Sequence, residues 1–382
     1  MLTDTADQTV AEERIGTGRK RATINDVARA LGLTKGTVSR ALNGYPDISD
    51  RTRRRVRHMA DRLGYLPLAQ AQAIRTGRVR AIGLVLQVGE PDAQRPFLAD
   101  FLSGVTGAAG AEGWSLTVAT AQHHDDTREV LERLLAERKA DGFILPRTRL
   151  SDPRIDLLRQ ENVPFVLYGR TGDPTGCAWF DMLGEQAMAE AVHRLYAFGH
   201  RRIGFLGGAE GMCYNHLRRQ GYLTAMAELG LTLAPELEAR GATTIASGII
   251  GAKEILQAAE PPTAIVCATD MAALGAMRVA AEYGLRVGQD LSLTGYDGVP
   301  QGAWTDPPLT TFEVDNAAVG ARLATLLLRL IHGEAPENLR ETAPARLCAR
   351  GSDGPPALDP LSLAQRIASA EQRNQNNQGD LP

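Results

Sequence analysis

The chain has 382 residues, 43% of them hydrophobic, with 42 Lys+Arg against 45 Asp+Glu and a formal net charge of −3. That length admits one small and one large domain. No apolar run approaches the ~18 residues of a membrane helix, and the polar opening MLTDTADQTVAEERIGTGRK lacks the apolar stretch of a secretory leader.

In chain order, residues 1–20 read as a disordered arm and 21–66 as a small all-α domain. In TINDVARALGLTKGTVSRALNG (23–44), Thr23 is placed to cap a helix whose third residue is Asp26, and Ile24, Val27, Ala28 and Leu31 recur at helical spacing. Gly32 supplies a turn, Leu33 an apolar plug, and Thr34 the cap of a second helix, Lys35 to Leu42. The second helix buries Val38, Ala41 and Leu42 and turns Lys35, Gly36, Thr37, Ser39 and Arg40 outward. A third helix runs from a Ser49 cap to Gly64, with Val56, Met59, Ala60 and Leu63 inside and Arg51, Arg53, Arg54, Arg55 and Arg57 outside. An ordinary helical bundle with a solvated charge run could share the helix-Gly-helix pattern. The agreement of caps, turn, plug and basic face instead points to a helix-turn-helix, whose second helix offers its N-terminal residues to DNA bases. Residues 19–80 hold 15 Lys+Arg and 4 Asp+Glu, a net of +11, which leaves −14 for the rest. A basic head on an acidic body is the footprint of phosphate contact confined to one domain.

Residues 67–79 form a linker, and 80–355 alternate between strand and helix. Strands are expected at 81–87, 115–121, 142–146 and 164–169, with helices near 97–112, 126–139 and 153–161. A second series runs helix 183–198, strand 202–208, helix 215–229, a strand near 237–241, helix 247–259, strand 264–269, helix 271–283 and strand 291–296. Strand 309–314, helix 317–332 and strand 344–350 close it. Uniformly apolar strands separated by helices predict two doubly wound parallel-sheet lobes, with ligands beyond the carboxyl ends of the strands. Residues 356–382, rich in Pro, Gln and Asn, read as a flexible tail without leucine heptads.

The body shows no GxxxxGK[ST], GxGxxG after a strand, GxSxG or HExxH pattern, so no enzyme class is indicated. No metal or cofactor is expected: His123 and His124 beside Asp125 and Asp126 read as a solvated loop, and His200 as a structural turn residue. Cys177, Cys213, Cys267 and Cys348 stand 36, 54 and 81 residues apart, which suits neither a compact metal site nor a disulfide framework. Reduced thiols in the cytoplasm are expected.

With RTGRVRAIGLVL, FGHRRIGFLGG, LRRQGYLTAM, ATDMAALGAMRVAAEYGLRVGQDLSLTGYDG, PPLTTFEVD and PARLCARGSDGPP following in order, the chain resembles the LacI/GalR family of transcriptional regulators over roughly residues 21–355. Arg147 and Arg170, after strand ends, resemble extra cleft residues of the family's α-glucoside-responsive branch. The resemblance implies a helix-turn-helix head, a hinge helix and a two-lobed, periplasmic-binding-protein-like body that binds a small effector and dimerises. It places Lys35, Gly36 and Arg40 at base-reading positions. Gly36 stands where some members carry a larger polar residue, and Arg40 can pair with guanine. Thr23, Thr34, Thr37, Ser39, Asn43 and Tyr65 match phosphate contacts. In PLAQAQAIRT (67–76), Ala71 and its neighbouring alanines allow close packing of paired hinge helices, and Ile74 matches a minor-groove wedge.

For the effector the resemblance marks Arg218 in RxxGY, Asp297 in GYDG and the pair Thr269 and Asp270, with Thr where the family has Asn. Arg147 and Arg170 follow strand ends, and Phe97, Trp179 and Phe180 are candidate stacking aromatics or core residues. These groups suit a neutral or α-linked sugar. A sugar acid or phosphate held by the arginines, or a purine, is the alternative. The implied protein is a homodimer on a pseudo-palindromic double-stranded operator, most simply a repressor, with operator affinity shifted by the effector. Competing classes are a solute-binding protein for a transporter, against which the basic head argues, and an α/β enzyme fused to a DNA-binding head.

Overall fold

The computed structural model describes residues 22–65, 77–88, 95–123 and 126–379. The arm 1–20, His124 and the hinge positions Ala71 and Ile74 lie outside the described residues. The chain divides into two compact units, Met1–Val79 and Arg80–Pro382.

In the first unit three helices, α1 (Ile24–Leu31), α2 (Lys35–Leu42) and α3 (Asp50–Leu63), close around Val27, Ala28, Val38, Ala41, Val56 and Ala60. Asp26 Oδ2 accepts from the Thr23 amide at 2.9 Å and from its hydroxyl at 2.7 Å, which satisfies the start of α1. Gly32 and Gly64 end α1 and α3 with φ of +64° and +63°, values that cost a side chain strain. Thr34 and Ser49 accept from the amides of Thr37 and Thr52, capping α2 and α3.

The second unit holds two parallel sheets. The first lobe comprises β1 (Ala81–Gln87), α4 (Arg95–Ala111), β2 (Ser115–Ala121), α5 (Asp126–Ala136), β3 (Gly142–Leu145), α6 (Pro153–Gln160), β4 (Phe165–Tyr168) and β5 (Ala178–Met182). The second comprises α7 (Gly184–Ala197), β6 (Ile203–Leu206), α8 (Cys213–Glu228), β7 (Glu238–Ala239), α9 (Ile245–Leu256), β8 (Ala264–Cys267), α10 (Asp270–Glu282) and β9 (Ser292–Thr294). After β10 (Thr311–Glu313), α11 (Asn316–Ile331) and β11 (Arg340–Ala343) return to the first lobe, and β12 (Arg346–Cys348) goes back to pair with β10. The sheets run β11-β5-β4-β3-β1-β2 and β7-β6-β8-β9, all parallel. Central strands are buried on both faces, as helices covering both sides of a parallel sheet require. The chain passes between lobes after β5, β10 and β11. Helices α4 and α11 touch backbone to backbone: a Cβ on Gly104 would lie 2.0 Å from the Ala317 carbonyl oxygen.

Four expectations are corrected. Leu63, expected inside with Val56, Met59 and Ala60, is exposed in the last turn of α3. Two strands of the first sheet, β5 and β11, fall where the sequence suggests none. Arg53 is not turned to solvent with its neighbours but folds back onto the loop between α2 and α3. Residues from Pro360 form a helix, α12 (Pro360–Gly379), instead of a loose tail. Its Leu363, Ile367 and Ala370 enter the core of the second lobe, Arg366 pairs with the buried carboxylate of Asp290 at 3.1 Å, and Tyr283 donates to Glu371 at 3.0 Å.

Candidate nucleic-acid interface and ligand cleft

On the helical head Lys35, Gly36 and Arg40 are exposed along α2. A Cβ at Gly36 would meet only the Thr34 hydroxyl, at an ordinary 3.7 Å, so packing does not demand glycine there. The Thr34 and Thr37 hydroxyls share a 2.9 Å hydrogen bond, and Asn43 donates to the Ser39 hydroxyl at 3.3 Å, which stiffens this face. Tyr65 is half-buried against the core. Arg40 is ion-paired with Asp47.

In the body a cavity of about 210 Å³ lies between the lobes, at the carboxyl ends of the strands. The first lobe lines it with Phe97, Phe101, Arg147, Tyr168 and Asp181; the second lines it with Tyr214, Arg218, Thr269, Tyr296 and Asp297. The lobes also join by backbone: Cys213 donates to the Thr148 carbonyl at 2.9 Å and Leu150 to that of Gly211 at 3.2 Å. Beneath Arg147, buried Arg154 donates to the carbonyls of Pro146 and Arg147 at 3.1 and 3.2 Å and pairs with Asp152 at 2.7 Å. Arg147 and Asp297 hold φ of +53° and +119°, a left-handed backbone costly for a side-chain-bearing residue and typical of binding sites.

Arg218 dominates the electrostatics. Its guanidinium carbon lies 3.6 Å from the Tyr296 ring centroid and 4.9 Å from that of Tyr214. Nη1 donates to the Ala268 carbonyl at 2.6 Å, Nη2 stands 3.6 Å from Asp297, and Nε has no hydrogen-bond partner among the described residues. Burial pushes the Asp297 carboxyl up to about 7, although Arg218 pulls the other way. Burial likewise lifts Asp181 to about 6 against the pull of Arg170. Phe101 and Tyr168 stack at 5.9 Å and give the cavity a flat apolar wall. Two arginines, Arg147 and Arg218, two carboxyl groups, Asp181 and Asp297, and aromatic faces thus converge on the cavity, a mix of polar anchors and apolar walls common in small-molecule sites. Among the described lining residues there is no serine, cysteine, histidine or lysine.

Of the positions singled out from sequence, Phe97, Arg147, Arg218, Thr269 and Asp297 line the cavity, and Arg170, Trp179, Phe180 and Asp270 do not. Arg170 is committed to Asp181 and Glu185 at 2.6 Å each, so it braces the cavity from behind. Trp179 sits in β5 with the Arg340 guanidinium 4.4 Å from its ring, and Phe180 packs against the core of the first lobe. Asp270 is fully buried; it accepts from the amides of Gly298 and Val299 at 2.8 Å each and from the Thr311 hydroxyl at 2.6 Å. It shapes the loop that presents Asp297. The Thr269 hydroxyl caps α10. Tyr168, Asp181 and Tyr296 were missed, although each lies at or near a strand's carboxyl end, where cleft residues are expected. His200 is buried and hydrogen-bonded to Thr263, Ser292 and Gly354, and the four cysteines are free thiols.

A basic three-helix reading head joined in one chain to a two-lobed ligand-binding body defines a ligand-responsive DNA-binding transcriptional regulator. The family model for bacterial regulatory proteins of the lacI family matches residues 23–67, and that for the periplasmic binding protein-like domain matches 192–352. The chain is 34% identical to the HTH-type transcriptional regulator AglR of Rhizobium meliloti, over 88% of this chain and 96% of that protein. It is 32% identical to the HTH-type transcriptional repressor CytR of Escherichia coli, over 87% and 96%. Among solved structures it is similar to the regulator CelR in complex with cellobiose, with a TM-score of 0.68 at 30% identity over 87% of this chain and all of that one. It is also similar to the lac repressor dimer bound to operator and the anti-inducer ONPF, with a TM-score of 0.72 at 27% identity over 88% and 100%. The chain belongs to the LacI family of regulators, and its relatives are regulators rather than enzymes. Among the described residues no helix is long and apolar enough to cross a membrane.

Proposed function

We propose that this regulator is a repressor that grips a pseudo-palindromic operator as a homodimer and is controlled by a small sugar in the inter-lobe cavity. The observation that carries the reading is the Arg218–Asp297 pair, stacked on Tyr296 and facing the Phe101–Tyr168 wall across a cavity to which both lobes contribute. A sugar ring offers hydroxyls to the charged pair and C–H faces to the aromatics. Two relatives support it in their own right: CelR was solved with cellobiose, and the lac repressor as an operator-bound dimer.

In this reading Lys35, Gly36 and Arg40 face base edges. Thr23, Thr34, Thr37, Ser39, Asn43 and Tyr65 meet phosphates, and Ala71 and Ile74 belong to a hinge within 67–79. Ligand in the cavity favours one lobe arrangement, and the hinge passes that preference to the head. The test is a thermal-shift screen of the purified full chain with mono- and disaccharides, α-linked glucosides and cellobiose among them. Sugar acids, sugar phosphates and nucleosides serve as the other arm. A hit is then added to a gel shift on duplexes the protein selects from a random pool. A sugar that raises the unfolding temperature and changes duplex affinity supports the reading. Response to a phosphate or nucleoside alone replaces the sugar, and turnover of any hit overturns the regulator-only function.

A further inference from the structure

We propose that the loop between α2 and α3 is a working part of the reading head: Asp47, with Tyr45, holds the Arg40 guanidinium in place and so sets how strictly Arg40 selects its base. This rests on the reading of Arg40 as a base-contacting residue. Arg40 leaves the last turn of α2 about half exposed; its Nη2 is ion-paired with Asp47 Oδ2, and its guanidinium carbon lies 5.5 Å from the Tyr45 ring centroid. The loop carrying both partners is itself pinned. Arg53 on α3 donates from Nη2 to the carbonyls of Tyr45 and Ile48 at 3.1 Å each and from Nη1 to Asp50 at 2.8 Å. The Tyr45 amide donates to the Arg40 carbonyl at 3.1 Å, and the Ile48 amide to the Tyr45 carbonyl at 3.2 Å. Asp47 is therefore presented to Arg40 by a braced turn.

An exposed ion pair of this kind adds little to fold stability, so its value lies in what it does to the arginine. An untethered arginine reaches phosphates in many rotamers, and phosphate contacts add affinity without selection. With Nη2 paired to Asp47 and the Tyr45 ring 5.5 Å from its carbon, the guanidinium is restrained in position and still has N–H donors to offer a base. Two donors in a fixed plane match the O6 and N7 acceptors of guanine. The Asp47 carboxylate also offsets part of the arginine's attraction to any phosphate. Neutralising it loosens both restraints, so binding to arbitrary DNA holds or tightens while discrimination falls.

The test uses the full chain and duplexes it selects from a random pool. Wild type, Arg40→Ala, Asp47→Asn and Asp47→Glu are titrated by fluorescence anisotropy at one salt concentration. The probes are a selected duplex, its single-base-pair variants and a random duplex. Arg40→Ala is expected to erase the preference at one G·C pair. Asp47→Asn should lower the preference at that same pair by about three- to tenfold, with random-duplex binding unchanged or tighter, and Asp47→Glu should recover part of it. An Asp47→Asn protein that keeps full preference at the pair erased by Arg40→Ala overturns the inference and leaves Arg40's role standing. If Arg40→Ala erases no preference, the base-reading role and the inference fall together. A uniform loss at every pair in Asp47→Asn, with a lower unfolding temperature, makes the loop merely structural and also overturns it.

Discussion

Arg218 sits over the Tyr296 ring, its guanidinium carbon 3.6 Å from the centroid, while its Nη2 stands 3.6 Å from Asp297. A planar cation that stacks and pairs at once has no equivalent in a lysine ammonium. Arg218→Lys therefore keeps the charge and loses both the contact with the ring and the Nε–H, which has no partner among the described residues. Loss of a hydrogen bond to a charged group is worth about 1.5–3 kcal/mol, so effector affinity should fall by roughly 10- to 100-fold while duplex affinity in the absence of effector is unchanged. Calorimetric titration with the sugar found in the screen measures it. Wild-type affinity in the lysine variant removes Arg218 from the site.

With Asp297 as a ligand acceptor, sugar binding is expected to depend on pH. Its carboxyl is pushed up to about 7 by burial, with Arg218 opposing. In the free protein this raised pKa contributes stability that is full below the ordinary value of 3.8 and is lost as the pH rises through about 7. A ligand hydroxyl that donates to the ionised carboxylate reverses the preference, because it favours the charged form. Sugar affinity should therefore climb by up to about tenfold per pH unit below 7 and level off above it, with protons released on binding. Titrations at pH 5.5–8 in buffers of different ionisation enthalpy read both quantities. A flat profile in wild type, matching that of Asp297→Asn, shows that the carboxylate does not accept from the ligand.

The three helix caps of the reading head, Thr23, Thr34 and Ser49, and most of the strand–helix alternation could be read from residues 23–350, because caps, turns and buried parallel strands leave local signatures. What escaped was non-local. Strand β11, RETA, carries almost no apolar signal because it is an edge strand held by pairing with β5, Arg340 opposite Trp179. Without that edge, Trp179 looks like a loop aromatic free to line a cleft, and Asp181 does not look like a cleft residue at all. Arg170 was placed by its strand end, but its partners lie 11 and 15 residues further on and close only in the fold. Asp270 matched a family pattern of polar contact, yet burial turned its carboxylate to the loop amides that hold Asp297.

The C-terminal helix was hidden by composition, since the Gln- and Asn-rich stretch after Arg373 outweighs the apolar spacing of Leu363, Ile367 and Ala370. Asp359 caps it, accepting from the Ser362 amide at 2.8 Å, and Pro360 occupies its first position, where a missing N–H costs nothing. Ile367 is 4% exposed, so Ile367→Ala should destabilise the body by about 2–5 kcal/mol. Urea unfolding of the full chain, followed by near-ultraviolet dichroism, gives the number. Stability equal to wild type means the helix is not docked in solution.

The hinge prediction concerns Ile74, which lies outside the described residues and stands on sequence alone. An apolar wedge between base steps acts only where the duplex can be kinked, and the bent duplex wraps more protein surface, which offsets the unstacking. Contact with phosphates needs no such deformation. Ile74→Ala should therefore weaken binding to a selected duplex by about tenfold or more while binding to a random duplex changes little, since unstacking one step involves a few kcal/mol. Anisotropy titrations at matched salt compare the two, and a fluorophore pair at the duplex ends reports the bend, expected to shrink in the variant. Equal losses on both duplexes with the bend unchanged take the wedge away from Ile74 and return residues 67–79 to a plain linker.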